Sequence, residues 1–269
     1  MIRKLFLFSG VAMLASLCCI AGAAALVRHQ VDTTGWNWVM VKDGDHMRYT
    51  SDSSAKLEAT VTKTLPWTGG DLLAVDLPAD VVYTQGPVAS VSISGPQSLV
   101  DRINLANGRL SRTEGGDRKE TVRVSWTRNG WDTQSTDQSA KITITAPAVK
   151  RFEMTANGDL KIRGYDQPTL DVTIAGDGDV QAVGHTGALT ANLSGNGDAD
   201  LAALQSKDAN LSLSGSGDAD IYATGTAKID ISGSGSVDLH PKPAKVVSHI
   251  SGTGSLNGYE DQETPAPTE

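Results

Sequence analysis

Cysteine is nearly absent from this chain of 269 residues, because its only two cysteines, Cys18 and Cys19, stand together near the N-terminus. The sequence beyond them contains no thiol, which excludes a disulfide scaffold, a thiol nucleophile and a cysteine-ligated metal site there. Lipidation is not expected either, since a modified cysteine follows a small residue, whereas Cys18 follows Leu17.

Aromatic residues are also scarce, at 5 % of the chain, while glycine occurs 28 times. This composition disfavours an ordinary globular core and is typical of a thin, glycine-cornered β structure. The five histidines show no metal-ligand spacing, and we expect each to be a solvated loop residue. They are His29, His46, His185, His240 and His249.

Positive charge is in deficit, with 23 basic and 31 acidic residues and a net charge of −8. Removal of a leader containing Arg3 and Lys4 would make it (23 − 2) − 31 = −10. This acidity excludes nucleic acid and anionic membrane surfaces as expected partners.

Residues 1–27 form the one long hydrophobic segment, in which Arg3 and Lys4 precede an apolar run from residue 5 to residue 27. Small residues at its end fit the A-x-A pattern of a signal-peptide cleavage site. We predict a signal peptide, with an uncleaved membrane anchor as the alternative. Both predict export, and membrane contact is expected only through residues 5–27.

A short phrase with two glycines one residue apart recurs five times between Asp171 and Leu256. Its second glycine falls at 178, 197, 217, 235 and 254, so successive copies are 19, 20, 18 and 19 residues apart, and a degenerate copy ends at 158. A fixed period of this length predicts a solenoid. The glycines assigned to its corners are Gly158, Gly176, Gly178, Gly195, Gly197, Gly215, Gly217, Gly233, Gly235, Gly252 and Gly254.

Apolar and polar residues alternate strictly around these glycines, as in Leu211 and Leu213 against Ser212 and Ser214. This period predicts strands with one buried face. Each repeat is interpreted as strand, glycine corner, strand and a return loop such as 202–209. The predicted fold is all-β, a single-stranded parallel β-helix (solenoid), right-handed by the crossover rule.

The predicted organisation has four parts: the leader 1–27, an N-terminal extension 28–70, a β-helix domain 71–258 and an acidic disordered tail 259–269. Within the domain, residues 71–150 are an N-terminal β segment that continues or caps the solenoid, and 151–258 are the repeat coils. The segment includes a predicted hairpin at Asn129-Gly130. Trp36, Trp38 and Trp67 are interpreted as packing anchors, with exposed binding aromatics as the alternative.

Aspartates follow the glycines at the same period, so stacked coils would align them in columns on the wet face. One column contains Asp159, Asp179, Asp198 and Asp218, and a second contains Asp200, Asp220 and Asp238. The first hypothesis is that they are turn formers. The second is a calcium site, because calcium prefers oxygen ligands. The calcium candidates are Asp179, Asp198, Asp200, Asp218 and Asp220.

The phrase Leu72 to Gly86, followed by serial Ser-Gly-Ser-Gly-Asp units, resembles the bacterial putative auto-transporter adhesin head domain, or GIN domain, over roughly residues 70–258. The resemblance implies a right-handed parallel β-helix in the periplasm or envelope of a bacterium. It implies no catalytic residues and no cofactor.

The expected function is therefore a non-enzymatic interaction or adhesion module whose ligand is an envelope protein or a glycan. Two alternatives stay open at this point. One is a β-helix protein that binds or acts on polysaccharide, which is a fold analogy. The other is a periplasmic accessory to an envelope sensor.

Overall fold

The computed structural model describes residues 36–43, 46–50, 59–113, 119–127, 130–135 and 140–258. The predicted leader 1–27 and tail 259–269 lie outside them. No helix in the described part of the chain is long and apolar enough to cross a membrane.

The described elements are twenty strands and one short helix. Their bounds are β1 Trp36–Asp43, β2 His46–Thr50, β3 Thr60–Leu65, β4 Leu72–Val75, β5 Ala79–Gln85, β6 Ser90–Pro96, α1 Gln97–Val100, β7 Ile103–Ala106, β8 Arg109–Arg112, β9 Lys119–Thr127, β10 Gly130–Ser135, β11 Ala140–Ala146, β12 Arg151–Met154, β13 Leu160–Gly176, β14 Val180–Gly195, β15 Ala199–Gly215, β16 Ala219–Ala223, β17 Thr226–Gly233, β18 Ser236–Leu239, β19 Lys245–Gly252 and β20 Ser255–Asn257.

One compact unit contains a four-stranded antiparallel sheet in the order β10-β9-β1-β2. Strands β9 and β10 pair as the predicted hairpin. The structure places this hairpin differently from the prediction, because β9 pairs with β1 and not with the solenoid. Strands β1 and β2 of the N-terminal extension and strands β9 and β10 of the segment 71–150 therefore form a unit of their own, whereas β3 of the extension belongs to the second unit. Trp36 and Trp38 lie in β1, and their side chains are outside the description.

The second unit is a solenoid of about five turns, with its coils stacked in parallel. The long strands β13, β14 and β15 pair in parallel register over most of their length. Strands β16 and β17 both pair in parallel with β15. The stack continues as β18 pairs with β16, β19 with β17 and β20 with β18. The predicted parallel solenoid is confirmed.

The N-terminal segment of this unit both continues and closes the stack. Strand β12 lies parallel between β4 and β13, and β5 lies parallel between β11 and β13. Strands β3, β6 and β7 add antiparallel pairs. Asn107 and Gly108 form the predicted turn, with φ angles of 51° and 78°. Ser94-Gly95-Pro96 ends β6, and α1 follows directly.

The core consists mainly of stacked Leu, Ile, Val and Ala side chains. Tyr83, Phe152 and Tyr165 form an edge-on aromatic group inside it, with ring centroids 5.0 Å and 6.4 Å apart. The Tyr83 hydroxyl donates to the Ala146 carbonyl at 2.8 Å, and burial raises the pKa of Tyr83 to about 12. Trp67 is half-buried and packs against this core, so the packing interpretation is confirmed for that residue.

The corner glycines align between coils, since Gly176, Gly195, Gly215, Gly233 and Gly252 pair in register. They are required for two reasons. The first glycine of each pair has a positive φ, for example 140° at Gly215, which residues with a side chain rarely adopt. The second has no positive φ, but a Cβ at Gly217 would overlap the Gly197 carbonyl oxygen. Sequence reasoning identified only the first reason.

The return segments are not the loops that the sequence predicted. Residues 202–209 lie inside β15, and the corresponding part of the preceding coil lies inside β14. The variation in repeat length appears there as a shift of register, for example between Leu201 and Ser206. Strands β14 and β15 continue through these segments because the backbone N–H and C=O groups of closely stacked coils need hydrogen-bond partners.

The last described coil leaves part of the apolar interior open. Val246, Ser248 and Ile250 pair with the buried Ala227, Ile229 and Ile231 of the coil before. Within the described residues no strand covers the outer side of β19. Ile250 is 38 % exposed as a result, and serine occupies the central position of the apolar row.

We predict that Gly215→Ala lowers the stability of the solenoid unit by at least about 2 kcal/mol, because the added Cβ meets the Gly195 backbone at an unfavourable φ. The matched control is Gly70→Ala, whose Cβ has no atom within 4 Å. Urea unfolding should show a lower midpoint for the first variant only. Equal midpoints would contradict the role of the glycine rows.

Candidate binding groove

An open groove of about 520 Å³ lies on the side of the solenoid. It crosses four successive coils at the segments that sequence analysis predicted to be return loops. Its lining residues are Asp166, Gln167, Pro168, His185, Thr186, Gly187, Gln205, Ser206, Lys207, Tyr222 and Thr224.

The register of the coils sorts these residues into rows. Asp166 pairs with His185, and His185 pairs with Gln205, which places three exposed polar residues in line along one wall. Tyr222 lies in the next coil. Because neighbouring strands are about 4.8 Å apart, three steps make the groove about 14 Å long.

The floor of the groove is formed by two buried hydroxyl residues, Thr186 and Ser206, which are 8 % and 2 % exposed. The Ser206 hydroxyl donates to the Tyr222 carbonyl, and the Thr186 hydroxyl donates to the Ala188 carbonyl at 3.3 Å. Both groups are thus satisfied within the fold. Gly187 also lines the groove. A residue with a side chain would not fit there, because its Cβ would lie 2.8 Å from the Pro168 carbonyl oxygen.

One end of the groove is held by Gln85, the last residue of β5. Its side-chain amide donates to the Asp166 carbonyl at 3.2 Å, and its oxygen accepts from the Asp166 N–H at 2.9 Å. The amide therefore extends the strand ladder by one residue after β5 has ended. Gln167 is fixed nearby, because its amide donates to the Val149 carbonyl at 2.9 Å.

The groove walls carry polar groups that the fold does not use. Among the described residues, the side chains of His185, Gln205 and Lys207 have no hydrogen bond or ion pair, and neither does the Tyr222 hydroxyl. Asp166 and Lys207 are the two groups with full charge at neutral pH, so the groove is close to neutral. These donors and acceptors are available to a ligand.

The predicted aspartate columns lie outside this groove and form a ladder instead. Asp179 accepts the N–H of Asp198 at 2.9 Å, and Asp198 accepts the N–H of Asp218 at 2.9 Å. Asp218 in turn accepts the N–H and the hydroxyl of Ser236, at 2.8 Å and 2.9 Å. The hydrogen bonds from the Ser236 backbone and hydroxyl lower the pKa of Asp218. Each of these carboxylates ties its coil to the next.

The second column is less regular. Asp200 accepts a hydrogen bond from Gln181 at 2.8 Å, and Asp220 lies 4.0 Å from the His240 ring. In the described part of the chain, no group of three or more His, Cys, Asp or Glu side chains could hold a metal ion. The calcium candidates therefore do not form an assembled cluster among these residues, and the calcium site stays a hypothesis.

The groove residues were missed by sequence reasoning, which placed His185 in a loop. It lies within β14. A signal did exist, since Asp166, His185 and Gln205 follow one another at 19 and 20 residues, the period of the glycine corners. That spacing was overlooked because the residue type changes in every coil.

The sequence of residues 71–243 matches the family described as "Putative auto-transporter adhesin, head GIN domain". The chain belongs to this family. No curated protein matches it significantly.

A solved structure supports the fold. A crystal structure of a putative adhesin from Bacteroides fragilis has a TM-score of 0.53 at 20 % identity, covering 74 % of this chain and 97 % of that one. A putative lipid binding protein from Parabacteroides distasonis has a TM-score of 0.43 at 18 % identity, covering 75 % and 97 %. At 20 % identity the likeness to the adhesin structure concerns the fold alone.

We predict that Asp218→Asn destabilises the protein at neutral pH, because the ionised carboxylate is the better acceptor for Ser236. The pKa of Asp218 is lower in the folded state than its ordinary value of 3.8. The stability that the carboxylate contributes is therefore fully present above 3.8 and is lost as the pH falls through the folded pKa. Thermal unfolding at several pH values should show that the unfolding temperatures of Asp218→Asn and of the unchanged protein converge in acid. Asp238→Asn is the control, and a pH-independent difference for Asp218→Asn would count against the ladder.

We expect Ser206→Ala to cost about 1–2 kcal/mol of unfolding free energy, because it removes the hydroxyl donor to the Tyr222 carbonyl. Ser212→Ala, on the exposed face of the same strand, is the matched control and should leave the unfolding midpoint unchanged. Equal effects of the two changes would show that the groove floor does not depend on this hydrogen bond.

Proposed function

We propose that this protein is a non-enzymatic binding module of the bacterial cell envelope, which holds its ligand in the groove on the side of the solenoid. The observation that carries this proposal is the groove itself, where side chains left unpaired by the fold converge on a rigid wall of strands. Membership of a family described as an adhesin head agrees with a binding role.

Export is part of the proposal and is supported by the predicted leader 1–27. Whether that segment is cleaved decides between a free periplasmic protein and one held at the membrane. The acidic surface of the chain, with a net charge of −8, supports a partner other than an anionic polymer.

The described residues of the groove form no assembled catalytic group, which favours binding over turnover. Within the described residues, His185 makes no hydrogen bond to another side chain, so it is not oriented as a general base. Asp166 is the one carboxylate that lines the groove, whereas most glycoside hydrolases require two. A polysaccharide-acting enzyme is therefore the less supported reading of the same groove.

We expect the purified full chain to retain specific components of a bacterial envelope without changing them chemically. Arrays of envelope glycans and envelope proteins, run with and without calcium, would measure retention. Chromatography of each retained component after long incubation would detect turnover. Cleavage of a component would overturn the non-enzymatic role, and failure to retain any component would overturn the binding role.

A further inference from the structure

We propose that the groove binds a neutral polysaccharide strand lengthwise across the coils, an inference that rests on the proposed binding function. Sugar hydroxyls both donate and accept hydrogen bonds, and they need partners of both kinds. Gln205 supplies both in one amide, the Tyr222 hydroxyl supplies both in one atom, and Lys207 adds donors. These groups lie along a path of about 14 Å, which suits a chain and not a single small molecule.

The charge of the groove selects against ionic ligands. Asp166 and Lys207 balance each other, and the aspartate ladder makes other parts of the solenoid surface acidic. A polyanion would meet a single exposed lysine, and a cation would find stronger attraction at the ladder. A neutral ligand neither requires several positive groups in the groove nor is attracted away to the aspartate ladder.

A peptide strand is disfavoured because peptides commonly bind by adding to an open sheet edge. The groove offers no such edge in its described part, since Asp166, His185 and Gln205 belong to strands that are already paired with one another. Recognition there must use side chains. The half-buried Tyr222 ring and the exposed Pro168 provide apolar surface for the C–H faces of a sugar ring.

The groove is also prepared for binding before the ligand arrives. Its floor hydroxyls are hydrogen-bonded, its wall residues stand on β13, β14 and β15, and Gln85 holds its end. A ligand therefore loses little affinity to ordering of the protein.

The test measures binding of the full chain to neutral oligosaccharides graded by length, released from bacterial envelope polysaccharides, by isothermal titration calorimetry. Uronic-acid oligosaccharides and short peptides serve as comparison ligands. Affinity should rise with the length of the neutral chains and level off once the groove is filled. Preference for the acidic sugars or the peptides would overturn the proposal.

Variants then locate the site. Tyr222→Ala should weaken binding about tenfold, whereas Tyr222→Phe, which keeps the ring, should weaken it less. His185→Ala and Lys207→Ala should each weaken it several-fold. Their matched controls, His249→Ala and Lys228→Ala, change exposed residues outside the groove and should leave it unchanged.

Circular dichroism and thermal unfolding confirm that each variant is folded before its affinity is compared. Binding that is equal in all groove variants would overturn the groove assignment while leaving the binding module intact. If the full chain retains envelope components but no neutral oligosaccharide, the saccharide assignment falls and the proposed function stands. If nothing is retained, both fall.

Discussion

The close contact between successive glycine corners is the constraint on which the solenoid depends. Where Gly217 lies on Gly197, backbone meets backbone, and even one methyl group would overlap a carbonyl oxygen. Because the corners approach this closely, the strands that flank them are held in register with the equivalent strands of the neighbouring coils. The apolar rows inside and the polar rows outside follow from that register.

The residues that repeat most faithfully serve the stacking itself. Asp179, Asp198 and Asp218 of the first column each accept an N–H from the next coil, so they link the coils much as an extra ladder of strand hydrogen bonds would. The candidate groove lies where the repeat is least faithful, with aspartate, histidine, glutamine and tyrosine in succession. A repeated residue in such a protein points to structure, and a changing residue at a repeated position points to recognition.

The solenoid could be predicted because its signals are local. Alternation about Leu211 and Leu213 and the fixed glycine period are visible within one coil and its neighbour. The four-stranded sheet could not, because Trp36 in β1 pairs with Trp126 in β9, far away in the sequence. The groove was missed for a related reason. Asp166, His185 and Gln205 follow the glycine period but change residue type in every coil, and Tyr222 follows a register shift after Leu201 that the spacing of the glycines does not reveal.

The open apolar row of the last described coil has a mechanical consequence. Hydrogen bonds between coils run along the axis of the stack, so a force applied along that axis acts on the bonds of one coil at a time. Among the described strands, β19, which carries Ser248 in its apolar row and Ile250 partly in solvent, pairs with β17 on one side only. Under tension from that end it would peel away first. Because the Ala244 N–H donates to the Thr224 carbonyl at 3.1 Å, the end of the groove at Thr224 would then lose its neighbouring coil.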